Sequence, residues 1–156
     1  MISLKRDPLS KARNYAFLLL KFRLRSEREI YERLKRKKFA DTVIRETLSF
    51  LKERGFLDDN LFAKNWIESR LKKPLGIKKI REELKAKGIN KQIIDAQLGR
   101  LPESYSEEEA VRNLAAKRLE SLKGVDTITR SRRLYGYLAR RGFSSEVVTD
   151  IVNELK

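Results

Sequence analysis

Six apolar positions recur three times along this chain, and no other feature limits its folding options as much. Ile30, Leu34, Phe39, Val43, Ile44 and Leu48 have the same spacing as Ile80, Leu84, Ile89, Ile93, Ile94 and Leu98, and as Leu134, Leu138, Phe143, Val147, Val148 and Val152. A step of four residues returns to the same helical face, so the first pair of each set marks one helix and the last three mark another. The residue between them falls in a turn. The set predicts helix, turn, helix three times at separations of 50 and 54 residues, a spacing typical of repeat arrays. Arg23, Arg70 and Arg118, each seven positions after Ala16, Ala63 and Val111, carry the repeat back into a preceding helix. The predicted architecture is therefore all-α, an elongated tandem array of three three-helix modules over residues 1–56, 57–101 and 102–156. Units this small bury only a modest share of their surface, so neighbours are expected to stack and share core.

Local signals agree with that frame. Asp7-Pro8 can cap and open a helix, Ser26 with Glu29 and Ser106 with Glu109 have capping-box spacing, and Asp58 stands between the staple residues Leu57 and Phe62. Asp58-Asp59 reads as a cap rather than a metal site, since no other ligands cluster nearby. Gly88 and Gly142 suit the left-handed residue that ends the middle helix of a module, where the first module has Lys38. Ala40 likewise replaces the better caps Asn90 and Ser144. Pro74, Gly76, Gly99, Pro102 and Gly124 are read as breaks, residues 125–129 as a connector, and Trp66 as a buried core residue.

Charge narrows the function. The chain of 156 residues carries 37 basic and 22 acidic side chains, a net +15, distributed as 16 against 7 in residues 1–56, 11 against 6 in 57–101 and 10 against 9 in 102–156. Nineteen of the cations fall in residues 25–38, 72–87 and 130–141, around the middle helix of each module. A solvated helix face accounts for any one cluster, but stacked repeats would align three of them into a stripe suited to phosphates or a long acidic groove. The residues assigned to it are Arg23, Arg25, Arg28, Lys35, Arg36, Lys72, Lys73, Lys78, Lys79, Arg81, Lys85, Arg130, Arg132, Arg133, Arg140 and Arg141. With no His, no Cys and no phosphate-binding glycine loop, the chain lacks the usual acid-base and thiol chemistry, and neither catalytic, metal nor cofactor residues are assigned. Absent cysteines, a longest early apolar run of only Ala16 to Leu20, and no signal-peptide core in Met1 to Pro8 together predict a soluble cytoplasmic protein without membrane contact.

Four strings carry a family resemblance: Arg23-Leu24-Arg25-Ser26-Glu27; Gly55-Phe56-Leu57-Asp58-Asp59 through Phe62-Ala63; Gly76 with Ile80 to Gly88-Ile89; and Tyr137-Leu138-Ala139-Arg140-Arg141-Gly142-Phe143. In this order and on this frame the chain resembles the RecX family of recombination regulators. The resemblance implies an elongated helical array that binds the RecA recombinase filament, and restrains its ATPase, strand-exchange and coprotease activities without being an enzyme. A monomer is expected, touching DNA directly or within the filament. Two other classes fit the composition, a free-standing nucleic-acid-binding protein using basic helices and a helical scaffold with no nucleic-acid role.

Overall fold

The computed structural model describes residues 7–156, so most of the expectation for Met1 to Pro8 lies outside it. Among the described residues there are nine helices and no strand. Helices α1 (Pro8–Phe22), α2 (Glu27–Arg36) and α3 (Asp41–Glu53) pack together, as do α4 (Asp59–Leu71), α5 (Ile77–Ala86) and α6 (Lys91–Leu98), and α7 (Glu107–Glu120), α8 (Thr127–Arg140) and α9 (Ser145–Glu154). Each trio encloses its own apolar cluster, so the shared core expected of small stacked units does not form. All the template positions are buried except Phe39, Val43, Ile93 and Val147, which are half-buried at the cluster edges. Leu57 belongs to the first cluster although it precedes α4.

Most caps act as read. Asp7 accepts from Ser10 N at 2.6 Å, Asp58 from Asn60 N at 2.8 Å, Asn90 from Gln92 N at 2.8 Å and Ser144 from Val147 N at 3.3 Å, whereas Ala40 offers no side-chain cap. Ser26 and Glu29 complete a capping box, but Ser106 and Glu109 form only the half in which Ser106 accepts from Glu109 N. Two other expectations are corrected. Residues 125–129 are not a connector: Asp126 caps Thr129 N at 2.9 Å and starts α8 a full turn earlier than in the sister modules. Trp66 is half-buried, because its indole N–H must reach a partner and finds Glu83 Oε2 at 2.9 Å.

The modules are joined through the ends of their middle helices. Gly76 N donates to Arg141 O at 2.8 Å and Lys78 N to Gly142 O at 3.1 Å, so the C-terminus of α8 abuts the N-terminus of α5. One module on, Ser26 Oγ donates to Lys87 O at 2.7 Å, which sets the C-terminus of α5 against the N-terminus of α2. Order along the row is thus α8, α5, α2, and each contact matches the negative end of one helix dipole to the positive end of the next. Backbones approach this closely only without a Cβ at Gly142, where one would collide with the Lys79 backbone, or at Gly88, where it would meet the Arg28 side chain. Both glycines also have positive φ, 80° and 77°, as does Lys38 at 62°. Lys38 stands at the free end of the row, where no following helix presses on the turn.

Side chains reinforce the joint between α5 and α2. Glu29 accepts from Lys87 Nζ at 2.8 Å and from Arg23 at 2.8 Å, and Asp59 Oδ1 accepts from Glu27 N at 2.8 Å. Burial raises the Glu29 pKa, but the hydrogen bonds from Arg23, Lys87 and Ser26 N–H outweigh it and hold the carboxyl at about 2, below its ordinary 4.5. Asp59, desolvated at the same joint, is shifted upward despite the hydrogen bond from Glu27 N.

Three variants test this account in stability measurements. Lys38→Gly relieves a left-handed non-glycine residue and is expected to stabilise by about 1 kcal/mol, while Gly142→Ala combines that strain with a backbone collision and is expected to cost at least ~2 kcal/mol by thermal or urea unfolding. A Lys38→Gly protein no more stable than the parent would refute the account of that turn. The folded Glu29 pKa is depressed, so its contribution is fully present above pH 4.5 and lost as pH falls toward 2. Melting temperatures of Glu29→Gln should therefore decline less steeply than the parent's across that window, and parallel declines would refute the linkage.

Candidate functional site

The end-to-end row sets the geometry of the cationic surface. On each middle helix, the positions two before, one after and five after the first template residue lie within ~60° of one another around the axis. These positions hold Arg28, Tyr31 and Lys35 on α2, Lys78, Arg81 and Lys85 on α5, and Arg132, Tyr135 and Ala139 on α8. The flank continues across a joint: Lys78 and Arg81 line one open cleft with Tyr135, Ala139 and Ser144 from the next module, a space of about 630 Å³ whose one carboxylate is Glu107. A middle helix of ten residues and its joint span ~18 Å, so the row extends on the order of 50 Å.

Within this flank the cations differ in freedom. Arg28 pairs with Glu32 at 2.9 Å and Lys35 with Asp41 at 2.6 Å, and Arg81 pairs with Asp95. Hydrogen bonding to Lys35 and Arg81 lowers the pKa of Asp41 and Asp95 respectively, so these carboxylates stay charged and partly neutralise the flank. Lys78, Lys85 and Arg132 join no ion pair among the described residues.

Other residues assigned to the stripe are elsewhere. Arg23 is committed to Glu29 in the α2 joint, and Arg25, half-buried, donates to Leu19 O at 3.4 Å, its pKa lowered mainly by desolvation. Arg141 donates to Pro74 O at 3.3 Å and lies over the Tyr137 ring at 4.7 Å, within the α8 joint. Lys79 packs its backbone on Gly142. Lys79 and Arg133 on one side of their helices, and Arg36 and Arg140 two turns further along, flank the opposite edge of the row. Lys72 and Lys73 occupy the turn after α4, and Arg130 is half-buried in the first turn of α8.

The structure also adds residues to the surface. Tyr31 and Tyr135, each 38% exposed, occupy the same repeat position and interleave with the cations. Their shared position in the template was visible in the sequence, although the charge count passed over it. The repeat-equivalent arginines at the ends of the first helices all turn to the middle helix of their own module: Arg23 to Glu29, Arg70 to Glu83 at 2.6 Å, and Arg118 over the Tyr137 ring at 5.0 Å. Among the described residues no helix is long and apolar enough to cross a membrane.

Comparison with known proteins agrees with an all-helical fold of three three-helix units. Family models described as the first, second and third three-helix domains of RecX match residues 12–51, 58–98 and 106–152. The chain is 34% identical over 150 residues to Regulatory protein RecX of Streptomyces coelicolor, covering 96% of this chain and 79% of that one. It is 38% identical over 146 residues to Regulatory protein RecX of Chlorobium phaeobacteroides, covering 93% of each. The crystal structure of RecX from Lactobacillus salivarius superposes with a TM-score of 0.83 over 96% of this chain and 97% of that one, at 24% identity, a likeness of fold. Three matched domains in order, and relatives aligned over most of both lengths, establish that this chain belongs to the RecX family.

Proposed function

We propose that this protein is a non-catalytic, monomeric, cytoplasmic regulator that binds the RecA–DNA filament and restrains RecA ATPase, strand exchange and coprotease activity. The observation that carries this reading is the recurrence of cations at equivalent positions on three helices set end to end, in a chain of the RecX family. A row on the order of 50 Å long presents several weak, salt-sensitive contacts to a periodic partner, and their combination binds far more tightly than any one. Rigid spacing contributes too, because the joints fix the distance between contact groups before binding. The second reading, a free-standing nucleic-acid-binding protein, draws on Tyr31 and Tyr135, whose rings between cations suit bases as well as protein.

RecA ATPase on single-stranded DNA, titrated with this protein over a salt series, tests the first reading. Lys78, Lys85 and Arg132 are the cations to reverse, since Lys79 supports a joint and Arg81 is held by Asp95. The triple Glu variant is expected to keep its helical content, inhibit at least about tenfold more weakly at low salt and show a shallower salt dependence. Unchanged inhibition would leave the row a solvated face. Equal binding to bare and RecA-coated DNA would favour the second reading.

A further inference from the structure

Comparison of the three modules at one equivalent position reveals a groove with no internal partner. In module one, Phe17 of α1 meets Phe50 of α3 edge to face, with ring centroids 6.2 Å apart. In module three the corresponding residues, Arg112 of α7 and Glu154 of α9, form an ion pair at 2.7 Å. Each pair closes the seam between the first and third helices, one by apolar contact and the other by charge.

In module two the corresponding residues are Lys64 of α4 and Arg100, just after α6. Two cations cannot close a seam on each other. Both instead line an open groove of about 370 Å³, whose remaining walls are mainly apolar through Ile67, Leu71, Leu101 and Pro102. Glu68 also lines it, yet no ion pair joins it to Lys64 or Arg100 among the described residues. The apolar contact that closes the seam in module one and the countercharge that closes it in module three are both missing here, which leaves two exposed cations beside an apolar wall.

We propose that this groove is a docking site for an acidic peptide segment of a protein partner, with a large apolar side chain against Ile67, Leu71 and Leu101 and a carboxylate between Lys64 and Arg100. The site goes beyond the filament reading and lies on the seam between α4 and α6, not on the α5 row. A nucleic-acid phosphate would meet the cations but leave the apolar wall uncovered, whereas an amphipathic segment satisfies both.

Fluorescence anisotropy of the full chain tests this with a labelled twelve-residue peptide that carries Leu or Phe at every third or fourth position and Glu between. Its Glu-to-Gln counterpart and a single-stranded oligothymidine of equal length serve as competitors. Arg100→Glu rebuilds across Lys64 the pair that Arg112 and Glu154 make, and the double variant Lys64→Phe with Arg100→Phe rebuilds the Phe17–Phe50 contact. Both close the seam from inside by devices the fold already uses, so circular dichroism should show unchanged helix. The parent is expected to prefer the acidic peptide over its Gln counterpart by about tenfold or more, with a comparable loss in each variant. Equal binding by parent and folded variants, no binding by the parent, or stronger competition by the oligonucleotide than by unlabelled acidic peptide would overturn the assignment. RecA inhibition is not read in this assay, so its failure and that of the filament reading are separable.

Discussion

The first N–H groups of any helix point along the axis without partners in their own helix, and the last carbonyls do the same in the opposite sense. In this protein those two deficits meet. The carbonyls of Arg141 and Gly142 accept from Gly76 N and Lys78 N, and Lys87 O accepts from Ser26 Oγ, so the ends of the middle helices satisfy one another across the module boundaries. Three separate apolar clusters thereby become one array without a common core. The length of the row, the register of its charged flank and the cleft at Lys78 and Tyr135 all depend on these joints.

The two joints are built differently. Between α8 and α5 the contact is backbone on backbone, with glycine on both sides and no room for a Cβ. Between α5 and α2 the hydroxyl of Ser26 reaches the carbonyl, and the Glu29, Lys87, Arg23 and Asp59 side chains surround it. The first relies on shape, which is insensitive to salt and pH. The second relies partly on charge, and Glu29 must stay ionised for it to form as described. The seam between first and third helices follows the same economy: one scaffold position holds an aromatic pair, an opposed cation pair or an ion pair, and changes the surface without changing the fold.

Helix number, module order and nearly all the core were legible from the sequence, because apolar periodicity reports burial within a helix pair and burial here is local to each module. Ile30, Leu34, Ile80, Leu84, Leu134 and Leu138 are buried as their spacing requires. Left-handed turns at Gly88, Gly142 and Lys38 could be read for the same reason, since a terminated helix needs them whatever lies beyond. The early start of α8 escaped notice because Thr127, Ile128 and Thr129 are poor helix formers, and the Asp126 cap prevails over that weak local preference. Net charge and its clustering around the middle helices were also properties of the sequence alone.

Only the tertiary structure decided which cations share a surface. Arg23, Arg25 and Arg141 look equivalent to Lys78 or Arg132 in a charge count, but the joints and adjacent helix ends supply carboxylates, carbonyls and rings that occupy them. The separateness of the cores, the use of Asp59 as an acceptor for the neighbouring module, and the meeting of Lys64 with Arg100 across an unfilled seam were likewise set by packing. Periodicity along one helix records which side faces inward, and it holds no information about which residues from distant segments arrive beside an outward one. That depends on how helix ends and edges meet in space, an arrangement the sequence encodes only through the whole set of contacts.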